Sequence, residues 1–283
     1  MSIRINVDPT NPGQFFACCG LLELADRLWP GAEGWFEERE FSIRCKGNLS
    51  ELLAALANAE INSSLTDQGL KRLGTLLSAN KAKLSPAETE EKSRLSALWK
   101  RERLHLSKPF DLWIDWWFDD RTGGKGMKTW AAKQLVLDIA RPMLRVIRDQ
   151  RWSESAAADI LTRSAPVEGV PFYFDSHNNC QGTPRDTGFG LYTLRNDIET
   201  KGNTRPLLEF GAFLGIQRFR PAVNAEKRLF CFSLWPIPLP VAVAGVATTG
   251  LLCLPGEHRH AFRMLFRSEY MKAFLPAEPY QGA

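Results

Sequence analysis

A loop of three glycines and two lysines carries the clearest anion chemistry in this chain of 283 residues. It reads GGKGMK over residues 123–128 and precedes an amphipathic stretch. Free backbone N–H groups, with the ammonium groups of Lys125 and Lys128, suit a phosphate held at the start of a helix near Thr129. The P-loop spacing is absent, because no Gly-Lys-Ser/Thr run follows a glycine at the required distance. The pattern disfavours ATP hydrolysis, and an ordinary flexible turn remains the alternative.

Two further segments supply cations for a polyanion. A helix is predicted over residues 130–150, with an apolar stripe on one side and three arginines on the other. Residues 185–228 interleave arginines with aromatic rings, and proteins that bind single strands use cations for phosphates and rings for bases. Solvated surface charge and core aromatics are the alternatives. The predicted nucleic-acid-binding residues are Lys125, Lys128, Arg141, Arg145, Arg205, Arg218 and Arg220.

The sequence gives weaker support for a metal site or a catalytic nucleophile. Asp111, Asp115 and Asp119 would share a strand face, but strand rise separates consecutive members by about 13 Å. His177 lies three residues before Cys180, and that spacing on a loop does not establish a catalytic pair. The other cysteines and histidines match no zinc spacing. We therefore expect no metal, no cofactor and no catalytic residue, and predict that the chain is not an enzyme.

The amino-acid composition limits the classes of protein to which this chain can belong. With 44% hydrophobic and 11% aromatic residues, the chain can bury a substantial core. A net charge of +4 permits nucleic-acid binding without requiring it. Six cysteines form no disulfide pattern, no signal peptide is recognisable, and the apolar residues 237–254 contain prolines and are predicted as two strands. A cytoplasmic protein without a membrane partner is expected.

The first sixty residues predict a β-α-β-β-α order. The elements are strands at 3–7, 35–37 and 41–45 and helices at 15–29 and 49–59. This order opens a ferredoxin-like (RRM-like) unit, which needs one more strand, predicted at Leu112–Phe118. Residues 60–108 are polar and predicted as a helical insertion. The predicted fold is α+β, with a ferredoxin-like unit over residues 1–150 and a loop-rich, mixed α/β part over residues 151–283.

Three segments carry a resemblance to a known group of proteins. They are NPGQFFACCGLLELADRL, LWIDWWFDD with the later KTWAAKQ, and RPLLEFGAFLGIQRFRP. Together they resemble the subtype-specific proteins of type I-G (formerly I-U) CRISPR systems, in the RAMP-like or large-subunit-like group. The resemblance spans residues 5 to 235, and its motifs are family signatures rather than catalytic ones. It implies ferredoxin-like domains with a glycine-rich loop.

The resemblance also implies a role. Such a protein would be a subunit of an RNA-guided (Cascade-type) surveillance ribonucleoprotein in antiviral defence, in which guide–target pairing reads sequence and proteins grip the backbone or read a flanking motif. Its implied partners are crRNA, target DNA, other Cas effector subunits and a recruited helicase-nuclease. Two alternatives stay open: a guide-RNA-processing endoribonuclease that uses His177, and a purely structural adaptor.

Overall fold

A computed structural model describes residues 2–63, 65–79, 83–101, 103–118, 124–130, 134–180, 202–266 and 272–281. Within these ranges the chain is a mixed α+β protein with eight helices and several small antiparallel sheets. Its buried apolar side chains form one main core, drawn from both the N-terminal and the C-terminal parts of the chain. The predicted α+β class is confirmed at this level.

The helices begin where the sequence offers capping chemistry. The Asn11 side chain accepts a hydrogen bond from the Gly13 N–H at the start of the first helix, and Pro12 occupies its first turn. At the second helix Asn48 and Glu51 form a capping box. The helices are α1 (Pro12–Leu28), α2 (Leu49–Asn58), α3 (Asp67–Ser78), α4 (Pro86–Arg101), α5 (Val136–Asp149), α6 (Ser176–Cys180), α7 (Pro206–Gly215) and α8 (Val241–Ala247).

Strands pair antiparallel in every sheet of the described part. The sheet orders are β1-β3-β2-β11, β15-β12-β10-β9, β4-β5-β6, β13-β14 and β7-β8. The strands are β1 (Ser2–Asn6), β2 (Glu33–Glu37), β3 (Glu40–Arg44), β4 (Ile61–Asn62), β5 (Leu104–Leu106), β6 (Leu112–Ile114), β7 (Ala165–Val167), β8 (Gly202–Thr204), β9 (Ala222–Asn224), β10 (Leu229–Leu234), β11 (Leu239–Pro240), β12 (His258–Phe262), β13 (Met264–Phe266), β14 (Lys272–Phe274) and β15 (Glu278–Pro279).

The predicted β-α-β-β-α opening is observed, but the predicted closing strand is wrong. Strand β6 covers only Leu112–Ile114 and pairs with β5, and Trp116–Phe118 forms a 3₁₀ turn. The fourth strand of the first sheet is β11, which pairs with β2. Trp116 and Trp117 are both buried. Successive strand residues point to opposite faces, so a turn lets both indoles enter the same core.

Helices α1 and α7 pack at very short separation. A Cβ atom added at Gly20 would lie 2.1 Å from the Gly211 carbonyl oxygen, and one added at Gly215 would lie 2.0 Å from the Phe16 carbonyl oxygen. Glycine at these positions therefore permits the close backbone approach. This contact crosses the predicted boundary at residue 150, and the division into two parts stays a prediction.

Several predicted elements need correction. The segment 241–246 is helix α8 rather than a strand, since Pro240 precedes it and small side chains fill it. Residues 60–108 contain the expected helices α3 and α4, and also strands β4 and β5. The helix predicted from residue 130 begins at Val136. None of the helices in the described ranges has the length and apolar character needed to cross a membrane.

Candidate nucleic-acid interface

Helix α5 presents the first set of predicted cations. Its apolar stripe is confirmed, and the buried residues are Val136, Leu137, Ile139, Ala140, Met143, Leu144 and Ile147. Because this side packs into the core, Arg141, Arg145 and Arg148 lie toward the surface. The amphipathic period of the sequence thus sets the direction of all three arginines.

These three arginines line a cleft with residues 59–62 and Asp67, here called the arginine cleft. Arg141 Nε donates to the Ile61 carbonyl at 3.1 Å, and its Nη1 lies 3.0 Å from Asp67 Oδ1. Arg148 donates to the carbonyls of Ala57 and Ala59, at 2.5 and 3.0 Å. These bonds satisfy carbonyls at the C-terminal end of α2. Arg141 and Arg148 therefore fix α5 against the segment between α2 and β4.

Arg145 is held less firmly than its neighbours in the cleft. Its Nη1 lies 3.6 Å from Glu168 Oε2, and both side chains are more than half exposed. A guanidinium has five N–H donors in a planar fork, so one long ion pair leaves most of them for another acceptor. The acids Glu60, Asp67 and Glu168 reduce the net positive charge of the cleft, but all three are themselves exposed.

Arg205 has a different environment. Its Nη1 donates to both oxygens of Asp175, at 3.2 and 3.0 Å, and the Asp175 side chain is fully buried. The Asn11 amide also donates to Asp175 Oδ1, at 2.8 Å. Arg205 is thus the counter-ion of a buried carboxylate that lies beside the N-terminus of α1. Its contacts are those of a structural ion pair.

A second carboxylate lies beside this pair. Glu209, in the first turn of α7, accepts backbone N–H bonds from Phe174 and Asp175, both at 3.1 Å. Burial, with the Asp175 charge second, raises the pKa of Glu209 to about 8. At neutral pH the Glu209 carboxyl is therefore mostly protonated, and Asp175 and Arg205 form the charged pair.

Arg218 is also bound to a buried acid. Its Nε lies 2.6 Å from Glu23 Oε2, and Arg27 Nε lies 2.8 Å from Glu23 Oε1. Two guanidinium groups from α1 and the end of α7 thus share one carboxylate that is 3% exposed. Arg220 is half-buried, and in the described part of the chain its side chain makes no hydrogen bond or ion pair.

The glycine-rich loop differs in shape from the prediction, in which a helix starts directly after the loop near Thr129. Residues 124–127 form a 3₁₀ turn, and Thr129 is a buried residue whose hydroxyl donates to the Phe172 carbonyl rather than starting a helix. The Lys128 ammonium lies 5.4 Å from the Trp130 ring centroid, within cation–π range. The Lys125 side chain lies outside the described residues. The helix that follows the loop, α5, begins at Val136.

The structure describes only some of the remaining candidates for chemistry. His177 Nε2 lies 3.4 Å from Thr10 Oγ1 and 3.6 Å from Asp8 Oδ2, while the Cys180 side chain is outside the described residues. Asp111 contacts His105, Asp115 contacts Arg103, and Asp119 is not described. Among the described residues, no group of three or more His, Cys, Asp or Glu side chains is placed to hold a metal ion.

Of the predicted cations whose side chains are described, Arg205 and Arg218 bind buried carboxylates, whereas Arg141 and Arg145 line the arginine cleft. The list of predicted binding residues leaves out Arg148 and Asn62, which line the arginine cleft, and Trp113, which is 51% exposed. The sequence Leu112-Trp113-Ile114 carries a signal for this exposure, because alternate strand residues point to opposite faces and the two aliphatic residues take the core side. No protein-family model matches the chain, and no curated protein matches it significantly.

Proposed function

We propose that this chain is a non-catalytic subunit of a CRISPR RNA-guided surveillance complex that binds the backbone of guide RNA or target DNA. The observation that carries the proposal is the arginine cleft, where three arginines on one helix face line an open surface. Arginine contacts to phosphate oxygens position a protein on nucleic acid without reading sequence. That is the task left to a subunit when base pairing reads the target.

The packing of the three resemblance segments supports the family assignment. The Trp116 indole N–H, in the second segment, donates to the Phe213 carbonyl in the third at 3.1 Å. Gln217 Oε1 accepts from the backbone N–H groups of Asp115 and Trp116, at 3.2 and 3.3 Å. Arg218 joins the third segment to Glu23 in the first. Residues far apart in sequence thus build one packed unit, as expected when motifs report a common fold.

The strand order supports the finer fold proposal. Along the chain the elements run β1-α1-β2-β3-α2, and in the sheet the strands lie in the order β1-β3-β2. Both orders match the first five elements of a ferredoxin-like unit. Among the described residues β1 pairs with β3 alone, so the strand that would complete the unit is not observed at that edge. The chain's proposed partners are crRNA, target DNA, sibling Cas subunits and a recruited helicase-nuclease, in the cytoplasm.

Arg145→Ala tests the proposal, with Arg151→Ala as the matched control. Arg151 is exposed and pairs with Glu154 at 3.4 Å, so both variants remove one exposed, ion-paired arginine. Affinity for a short RNA–DNA heteroduplex is measured over a range of salt concentrations. Loss of one phosphate contact lowers the slope of log affinity against log salt by about one, and we expect this only for Arg145→Ala. Equal affinity and slope in wild type and both variants would contradict the proposal.

A second candidate is metal-independent RNA cleavage, favoured by the placement of His177 near Asp8 and Thr10. A carboxylate that orients an imidazole is one requirement of general acid–base catalysis. Incubation of the purified chain with a repeat RNA tests it. Cleavage that His177→Ala abolishes and His258→Ala, at an exposed histidine, retains would replace the non-catalytic proposal. Assembly with sibling subunits without any nucleic-acid affinity would instead indicate the structural adaptor.

A further inference from the structure

The sheet β4-β5-β6 has one buried face and one face open to solvent. Alternation places Leu104, Leu106, Leu112 and Ile114 in the core. The strand register pairs Asn62 with His105 and His105 with Trp113, so these three residues form one row on the opposite face. We call this row the aromatic face.

Trp113 is held in a fixed orientation although it is exposed. Its indole lies against the His105 imidazole, with ring centroids 4.3 Å apart and planes inclined by 27°. His105 Nε2 in turn lies 2.6 Å from Asp111 Oδ1, which fixes the imidazole. Trp113 nevertheless keeps 51% of its surface exposed. The arrangement presents a large, oriented aromatic ring to solvent.

Cations lie on two sides of this row. At its β4 end Asn62 also lines the arginine cleft. Beside its centre, two residues before His105, Arg103 Nε lies 2.9 Å from Asp115 Oδ2, with the Arg103 side chain 61% exposed. Two inter-strand spacings, about 10 Å, separate the backbones of Asn62 and Trp113. A short stretch of polynucleotide therefore spans the distance from the cleft to the indole.

We propose that a single-stranded segment of nucleic acid crosses the aromatic face, with one unpaired base stacked on Trp113 and a neighbouring phosphate in the arginine cleft. This site deepens the proposed function and rests on it. A base matches the surface in two ways: its ring stacks on the indole, and its polar edge can bond to the amide of Asn62 or the carboxylate of Asp111. An apolar protein partner would bury those same polar groups without hydrogen bonds, which is unfavourable.

Trp113→Ala tests the inference, with Trp113→Phe as the conservative variant and Phe266→Ala as the matched control. Phe266 is an equally exposed aromatic residue on another sheet, next to Lys272. The probes are a fluorescein-labelled oligouridylate of about twelve nucleotides and an abasic oligomer with the same backbone charge; fluorescence anisotropy gives the dissociation constants. We expect Trp113→Ala to weaken oligouridylate binding about 5- to 100-fold, with Trp113→Phe and Phe266→Ala close to wild type.

The abasic probe separates stacking from charge. Trp113→Ala should bind it as wild type does, because no base is present to stack, whereas Arg145→Ala should weaken binding of both probes. Undiminished oligouridylate affinity in a folded Trp113→Ala variant overturns the stacking site, and the proposed function survives if Arg145→Ala still weakens binding. Wild-type protein that binds neither probe overturns the stacking site, and the proposed function then stands or falls with the heteroduplex measurement. Loss of subunit assembly with unchanged oligouridylate affinity assigns the face to a protein partner.

Discussion

The cations of this molecule fall into two regions that differ in the burial of their partners. Arg205 and Arg218 pair with Asp175 and Glu23, carboxylates that are 0% and 3% exposed. Arg145 pairs with Glu168, which is 58% exposed. All three residues are arginines, yet the burial of their partner carboxylates differs.

The burial of the partner carboxylate decides how much each guanidinium contributes to folding stability. A buried carboxylate that loses its counter-ion keeps its desolvation penalty, so the pair is strongly coupled to folding. An exposed carboxylate is rehydrated when its partner leaves, and the pair contributes little. An arginine in the first situation holds the fold together, while one in the second remains able to bind phosphate. Four predictions test this distinction.

The largest effect is expected from pH, through Glu209. Its pKa is about 8 in the folded chain, against 4.5 for a free glutamate, because burial and the Asp175 charge disfavour ionisation. Between these two pH values only the folded state holds the proton, so unfolding releases it and the free energy of unfolding falls as pH rises. The slope is at most about 1.4 kcal/mol per pH unit. Urea denaturation at several pH values from 5 to 8 measures it.

Glu209→Gln is the control for that prediction. Glutamine has nearly the same volume and does not ionise, so the difference between wild type and variant isolates Glu209 from Asp175, Arg205 and His177. We expect a flatter stability profile in Glu209→Gln. Parallel profiles for the two proteins would show that Glu209 does not bind a proton on folding.

Arg205→Ala should produce the next largest loss. The substitution leaves Asp175 fully buried with only neutral donors, such as the Asn11 amide, and we expect the free energy of unfolding to fall by about 3 kcal/mol. Chemical denaturation measures the loss. Arg205→Lys keeps the positive charge on a single nitrogen and should recover part of the loss, because Nη1 alone contacts both Asp175 oxygens. A loss below about 0.5 kcal/mol in Arg205→Ala would place Arg205 with the exposed pairs instead.

Arg218→Ala is expected to lower the free energy of unfolding by less, about 2 kcal/mol. Glu23 then keeps one guanidinium, that of Arg27, at 2.8 Å. The double variant Arg27→Ala/Arg218→Ala should lose more than the sum of the single variants, because only then is the buried carboxylate unpaired. Additive losses, measured by the same denaturation experiment, would show that the two arginines act independently.

The sequence predicts the elements well where local chemistry decides them. The helices predicted at 15–29 and 49–59 and the apolar stripe of the helix predicted at 130–150 follow from local periodicity, and α1, α2 and α5 are observed there. The partner of β6 is not visible locally, because pairing with β5 depends on residues 104–106, which lie within a polar interval. Valines in 241–246 favour a strand, whereas packing and Pro240 produce a helix.

The candidate site was predictable only in part. The period of α5 places Arg141 and Arg145 on one face, and the structure keeps them there in the arginine cleft. No local pattern tells that Arg205 and Arg218 bond to Asp175 and Glu23, since the partners are 30 and 195 residues away. Long-range packing, rather than composition, thus separates structural arginines from available ones.

Arg145→Ala should have the smallest effect on stability. Its single ion pair, 3.6 Å long and more than half exposed at both ends, should leave the free energy of unfolding within about 0.5 kcal/mol of wild type. Arg141→Ala is the internal comparison, because it also loses the 3.1 Å bond to the Ile61 carbonyl and should cost about 1 kcal/mol. Denaturation of both variants ranks them. If Arg145→Ala proves as destabilising as Arg205→Ala, partner burial is not what distinguishes the two regions, and Arg145 belongs to the fold rather than to a ligand.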